Sequence, residues 1–530
     1  MARIRSSASK YRPPIARTSG RVNRLTNELL RSIFLQCILD DPSNEDYYDY
    51  TNIVSIAHVC RRWQIIAIAC AHLWCRLDTS MSEQTAFWFL KNANCLPLQV
   101  VATCEEGSTD MSAPVRAVLY LADRIEFLHI YGSGDFAHIL TYIRGAATHL
   151  RLLVIENTED TFKSVELPAT AFGADVPALR HVRLDDAAVI PQPTSESHFW
   201  TDVLNELETF ELSMDFYEPY DMSMKNLLSS AFEEMISLKS LRLTLDASSE
   251  DVFVECALPH KRPTLDDLDF LFLKAPAWLC LFLLGHLEIP SSAAVQIVCT
   301  DVSDASPASL HGLMWKLGIH LTRHQSHLRS VLIDESSSPE YKIVGWSQSG
   351  RGLRGTSGQY DELEPDAPAV NVGLRWPSKA EDAFPEVMHT FSEMIVPFCM
   401  DTLTIRLCTP TEVRWRYFMH KVPNVQTLKI YCNCAMQGLL ARILDSGDPC
   451  ETGLLRCLTR VWVVNDGKAP KTDDCGLADT VGAFVKARGQ TLKSLVFEGF
   501  SSAFKERISQ CAGKCTLEWR QRPTLHIKSI

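Results

Sequence analysis

Apolar and polar positions alternate in two different ways along this chain. Near the start, Leu29, Leu30, Ile33, Phe34, Cys37 and Ile38 recur at three- and four-residue spacing. That period predicts an amphipathic helix with one wide apolar face. Thr26 or Asn27 suits its cap, Glu28 suits its first turn, and Asp40-Asp41-Pro42 ends it. A second helix carries Ile53, Ile56, Ala57, Cys60 and Trp63, and a further apolar patch of Ile66, Ala67, Cys70, Leu73 and Trp74 follows directly. Two or three helices in about fifty residues cannot bury this much apolar surface among themselves. The surplus must meet a partner or the rest of the chain, with Leu73 and Trp74 best placed for the latter.

Beyond residue 120 the period changes to apolar-x-x-apolar-x-apolar. It occurs as Ile125/Leu128/Ile130, Leu150/Leu153/Ile155, Leu179/Val182/Leu184, Leu207/Phe210/Leu212, Leu238/Leu241/Leu243 and Leu265/Leu268/Phe270. Later copies are Leu328/Val331/Ile333, Met400/Leu403/Ile405, Val425/Leu428/Ile430, Leu458/Val461/Val463 and Leu492/Leu495/Phe497. The first six begin roughly 25–31 residues apart, room for one strand and one helical or irregular return. The last two apolar residues of each copy point inward and the residue between them faces out. Stacked copies predict an α/β chain with a parallel sheet. A doubly wound α/β domain gives a similar alternation and is the rival architecture. The spacing breaks between 270 and 425, where residues 334–385 are rich in Ser, Gly and Pro and read as a flexible insertion.

The ordered fragments Leu25-x-x-Glu28-Leu29-Leu30-x-x-Ile33-Phe34, then Val59-Cys-Arg-Arg-Trp63, then Leu73-Trp74 resemble an F-box. Thr26 stands where that motif usually has proline, and the loop Asp40–Tyr50 is longer and more acidic than usual. The later copies resemble a degenerate leucine-rich repeat that mostly lacks the asparagine expected after the strand. Together they resemble F-box proteins of the basidiomycete type. The resemblance implies a basic leader at 1–24, an F-box at 25–78, and a leucine-rich-repeat-like solenoid at 79–530. It implies a substrate-recognition subunit of an SCF-type cullin-RING ubiquitin ligase. Leu25, Leu29, Ile33, Phe34, Val59 and Trp63 would then bind a Skp-type adaptor, and through it a cullin, while the repeats bind a protein target. The rival reading is a repeat scaffold with no ligase role, its N-terminal helices serving as a solenoid cap.

Composition narrows this further. A net charge of −12 disfavours a general nucleic-acid binder. The short Arg/Gly run at 347–355 reads as solvated loop. No apolar run is long enough for a membrane span. Met1–Arg24 is basic without an apolar core, which excludes a secretory signal and leaves a disordered leader or a mitochondrial presequence, the leader preferred. The 18 cysteines then read as reduced thiols of the cytoplasm or nucleus, mostly small buried hydrophobes such as Cys280 and Cys299. Cys432-x-Cys434 and Cys511-x-x-x-Cys515 are isolated pairs with no second pair at zinc-ligand spacing.

No nucleophile, phosphate-loop or metalloprotease signature is present, so the reading is a non-enzyme without a cofactor. Asp266-Asp267-x-Asp269 lacks the glycine and distal glutamate of a calcium loop and reads as a solvated strand edge. Candidate target-binding residues are the outward positions of the strands: Arg183, Glu211, Arg242, Asp269, Lys429 and Trp462. Their mixed charges suit a protein target with Trp462 as an aromatic anchor, or Trp462 packs under a neighbouring loop.

Overall fold

The structure, a computed structural model, describes residues 24–39, 51–78, 80–104, 113–133, 136–143, 145–158, 165–166, 172, 175–185, 188–189, 198–216, 231–247, 262–290, 292–300, 307–322, 330–337, 340–346, 370–375, 400–406, 421–432, 455, 457–465, 474–488, 491–511 and 515–520. The expected leader up to residue 23 and the acidic loop 40–50 lie outside the described residues, as does the Arg/Gly run.

The first apolar stripe forms α1, Asn27–Leu39. The Leu29 N–H donates to Thr26 Oγ1 at 3.3 Å, satisfying one of the amides that a helix start leaves open. Hydrogen bonds from the backbone and from Thr26 hold the Glu28 carboxyl below its ordinary value. One extended residue, Cys60, separates α2 (Thr51–Val59) from α3 (Arg61–Ala69). Residues one turn apart turn inward on α1 and α2, Leu30 with Phe34 and Ile53 with Ala57, and Ile66 and Ala67 turn inward on α3. A tight turn at Ala71–Trp74 then carries Leu73 and Trp74 into the core. Trp74 Nε1 donates to the Ala67 carbonyl at 2.8 Å. Its ring meets Trp88 at 4.5 Å and Phe89 at 5.0 Å, both on α4 (Glu83–Ala93). The helical start and the rest of the chain therefore share one apolar core.

Among the described residues, seventeen strands form one sheet. They are β1 Arg76–Asp78, β2 Leu98–Cys104, β3 Ile125–Gly132, β4 Leu152–Asn157, β5 His181–Asp185, β6 Thr209–Phe216, β7 Ser240–Ala247, β8 Phe270–Ala275, β9 Ala294–Cys299, β10 Ser330–Ser337, β11 Glu340–Trp346, β12 Val370–Arg375, β13 Thr402–Arg406, β14 Thr427–Cys432, β15 Arg460–Asn465, β16 Ser494–Glu498 and β17 Thr516–Arg520. β1 to β9 pair in chain order, always parallel. β13 to β17 do the same. Between the two arrays the order reverses. β9 pairs with β12, β12 with β11, β11 with β10, and β10 with β13, and within this detour only β11 runs antiparallel to its neighbours.

The apolar triplets explain the regular parts. The first residue of a triplet closes a tight turn, as where the N–H groups of Leu150, Leu179 and Leu458 donate to carbonyls three residues back. The next residue donates to the preceding copy, so Arg151, Arg180, Glu208, Lys239 and Asp269 form a backbone ladder along one edge. The remaining two apolar residues point inward and are almost fully buried, for example Leu153 and Ile155, Leu241 and Leu243, and Val461 and Val463. Parallel neighbours need a crossover, and the crossovers supply α5 (Ala113–Leu119), α6 (Phe136–Thr141), α7 (His198–Glu206), α8 (Ala277–His286), α9 (Pro307–Thr322), α10 (Asp474–Arg488) and α11 (Ser502–Cys511). Their apolar sides join the inward strand residues in the core. Cys280 and Cys299 are fully buried there, and the Cys280 thiol donates to the Ala275 carbonyl at 3.5 Å.

The chain is thus α/β around a mainly parallel sheet, with two differences from the expected pattern. The triplet Leu265/Leu268/Phe270 is out of frame. Leu271 and Leu273 are the inward pair, in register with Leu241 and Leu243, whereas Phe270 lies opposite Ser240. Residues 334–385 are not simply an insertion, because β11 and β12 lie within them and carry the sheet across the break. The rest of that segment lies outside the described residues.

Candidate functional site

Two surfaces stand out. The first is an apolar ridge on the three N-terminal helices. Leu29 and Ile33, one turn apart on α1, are 52% and 42% exposed, and Val59 at the end of α2 is 60% exposed. Ile65 and Ile68 on α3 are exposed as well. The Arg62 guanidinium ties the start of α1 to the start of α3, donating to Asn27 Oδ1 at 2.9 and 3.1 Å and to the Leu25 carbonyl. Of the six residues expected to bind a partner here, Leu29, Ile33 and Val59 are on the ridge. Leu25 is half-buried against the core. Phe34 is not available: it is 1% exposed and supports Trp63, their ring centroids 4.9 Å apart. Trp63 is half-buried for the same reason. Ile65 and Ile68 were not expected.

The second surface is the face of the sheet opposite the core, where register sets the neighbours. One row runs His129, Val154, Arg183, Glu211, Arg242, Phe272 and Gln296 across β3 to β9. Arg183, Glu211 and Arg242 are therefore side by side, as expected. Asp269 is not among them. It precedes β8, on the edge ladder, and Phe272 takes its place, because the three-residue spacing of Leu265, Leu268 and Leu271 makes the frame ambiguous. Asp266, Asp267 and Asp269 are all exposed. Charges in this part of the face neutralise one another. His129 Nε2 lies 3.2 Å from Glu156 Oε2, and the hydrogen bond, followed by the His129 and Arg183 charges, holds the Glu156 carboxyl below its ordinary value. Arg183 Nη2 donates to Asp185 Oδ2 at 3.0 Å. Arg242 lies over the Phe270 ring at 5.4 Å.

On the C-terminal array the row continues as Thr404, Lys429, Trp462, Val496 and Glu518. Lys429 is 4% exposed. Its Nζ is 4.2 Å from the Trp462 ring centroid, and Arg520 Cζ is 4.5 Å from it. β14 and β17 lie on opposite sides of β15, so the indole is sandwiched between the two cations. The indole Nε1 is buried and has no hydrogen-bond partner among the described residues. Arg460 Nη2 and Arg520 Nη2 reach Glu518 at 3.2 and 3.6 Å.

A cleft of about 330 Å3 beside α8 and α9, lined by Arg262, Asp266, Glu288, Lys316 and His320, mixes charge signs at an exposed edge. Among the described residues, no group of three His, Cys, Asp or Glu side chains is placed to hold a metal ion, and no helix is long and apolar enough to cross a membrane. No protein-family model matches the chain, and no curated protein matches it either.

Proposed function

We propose that this chain is the target-recognition subunit of an SCF-type ubiquitin ligase, acting in the cytoplasm or nucleus. Residues 25–78 act as an F-box that binds a Skp-type adaptor, and the parallel strands and their returns act as a leucine-rich-repeat-like solenoid that binds a protein target. The observation that carries this reading is the apolar ridge. Leu29, Ile33, Val59, Ile65 and Ile68 remain exposed although the inner sides of the same helices are packed. Together they hold roughly two and a half side chains of uncovered apolar surface, about 4–7 kcal/mol if a partner buries it. Such a subunit needs no chemistry of its own, since the transfer of ubiquitin belongs to other subunits.

Co-expression with a Skp-type adaptor tests the proposal. The wild-type chain is expected to co-purify with it, and Leu29→Asp with Val59→Asp is expected to abolish this while leaving the circular dichroism spectrum unchanged. Wild-type protein that fails to retain the adaptor, or a double variant that retains it, sinks the proposal. Trp63→Ala is a poor probe because Trp63 also packs on Phe34. The rival reading, a helical cap without ligase function, draws on Trp74, which ties the helices to α4. Deleting residues 1–69 separates the two: a cap's loss exposes and unfolds the first strands, whereas a docking module's loss leaves them cooperative.

A further inference from the structure

We propose that the cleft beside α8 and α9 binds a small amphipathic zwitterion, of the size and chemistry of a free apolar dipeptide. The site lies apart from both the ridge and the open sheet face. Val295, one of its lining residues, is an inward residue of β9 and 2% exposed, so the cleft sits on the helical side of the sheet. Backbone bonds hold its walls. The Glu288 N–H donates to the Pro263 carbonyl at 3.0 Å, and the Leu265 N–H donates to the Glu288 carbonyl at 3.1 Å. This joins the end of α8 to the segment that carries Arg262 and Asp266. Across the cleft, His320 Nε2 lies 3.4 Å from the Ala293 carbonyl and ties α9 to the approach to β9. About a turn before the cleft α8 and α9 touch: a Cβ on Gly312 would lie 2.8 Å from the Leu281 side chain.

Charge is divided between the walls. One carries Arg262, Asp266 and Glu288, one more acid than base, and α9 carries Lys316. Among the described residues none of these four is in an ion pair. Opposite charges that face one cleft without pairing are left for a ligand to complement. Between them Leu284, Ile289 and Ile319 are only half-buried, so apolar surface stays open at the cleft as well. A simple anion meets the two carboxylates, and a simple cation meets Lys316. A molecule with an ammonium for Asp266 and Glu288, a carboxylate for Lys316 and an apolar body between them satisfies all three features. Size excludes larger partners. The cleft holds about 330 Å3, at the lower end of the roughly 300–1,000 Å3 of small-molecule sites, which is too little for a helix or strand of another protein.

Isothermal titration calorimetry on the full chain tests this with four probes. They are the dipeptide Leu-Phe, its N-acetyl form without the ammonium, its C-terminal amide without the carboxylate, and Gly-Gly, which keeps both charges but has no apolar body. Leu-Phe is expected to bind saturably, each blocked form about tenfold or more weakly, and Gly-Gly not to bind. Two variants assign the charges, and both positions are polar and accessible enough to leave the fold intact. Lys316→Gln is expected to weaken Leu-Phe about tenfold and leave the amide's affinity unchanged, since the amide has no carboxylate to lose. Glu288→Gln is expected to weaken Leu-Phe and leave the N-acetyl form's affinity unchanged. Absent Leu-Phe binding, blocked forms that bind as well as Leu-Phe, or variants that weaken every probe equally overturn the inference.

Discussion

Adjacent residues Ile33 and Phe34 should respond to substitution in opposite ways. Phe34 is 1% exposed and packs on Trp63 at 4.9 Å, so Phe34→Ala removes a buried ring, about 3–5 kcal/mol with its cavity. Domains of ordinary stability hold only about 5–15 kcal/mol, so that loss is severe. Ile33 is 42% exposed, and Ile33→Asp exchanges one middling helix former for another, so stability should move by about 1 kcal/mol or less. At an interface the cost reverses. Ile33→Asp gives up about 1 kcal/mol of burial and brings a carboxylate into an apolar contact, a combined penalty of about 3 kcal/mol or ~100-fold in adaptor affinity. Urea unfolding followed by tryptophan fluorescence reads the first quantity, and adaptor titration by calorimetry reads the second. The argument fails if Ile33→Asp unfolds the helices as readily as Phe34→Ala does, since the phase of α1 would then be wrong. It also fails if Ile33→Asp binds the adaptor like wild type, since the ridge would then not be the interface.

Further expectations concern the core and its titratable groups. Trp74→Ala removes a fully buried ring and its hydrogen bond to Ala67, and should cost about 3–5 kcal/mol in a denaturation curve. A loss under about 1 kcal/mol would show that the helices are not anchored to α4 through this ring. The Glu156 carboxyl is held below its usual 4.5, so its contribution to stability is present above pH 4.5 and fades as pH falls through the lower folded value. Glu156→Gln should flatten the acid limb of a pH-stability profile, and an unchanged limb would count against the His129 contact. Burial pushes the Cys75 thiol up to about 11, so iodoacetamide at pH 8 should label the exposed Cys37, Cys60 and Cys95 while peptide mapping finds Cys75 spared. Equal labelling of Cys75 in native protein would refute its placement.

The inward residues of most strands were legible because their triplets are nearly all apolar. Six strands were not: β11 and β12 lie in the Ser/Gly/Pro-rich stretch read as an insertion, and the other four were missed for local reasons. Pro97, Ser292 and Lys514 stand where β2, β9 and β17 need the first apolar residue, and β1 borrows Trp74 from the helical segment. The frame error at Asp269 comes from leucines that satisfy two alignments at once. On α1 the stripe of Leu29, Leu30, Ile33 and Phe34 is wider than the core can accept, and periodicity cannot tell which pair is covered. Packing decides it: Leu30 and Phe34 go in, Leu29 and Ile33 stay out. Ile65 and Ile68 were hidden beside Ile66 and Ala67, which drew attention to the buried side of α3. The sandwich around Trp462 required β14, β15 and β17 to be brought into register, which spacing along the chain does not supply.

The reversed order of β10, β11 and β12 bears on how this chain reaches its folded state. In the regular arrays each strand adds to one laid down just before it, as Ser240 does to Thr209, so order can spread stepwise like a zipper. At the detour Val295 must wait for Val370, and Ser330 for Thr402, and both closures span long stretches of chain. Stepwise growth stalls there from either direction. The detour is therefore a kinetic seam: during synthesis the first nine strands can mature while the last five are still unmade, and the sheet becomes continuous only after the hairpin between them has closed.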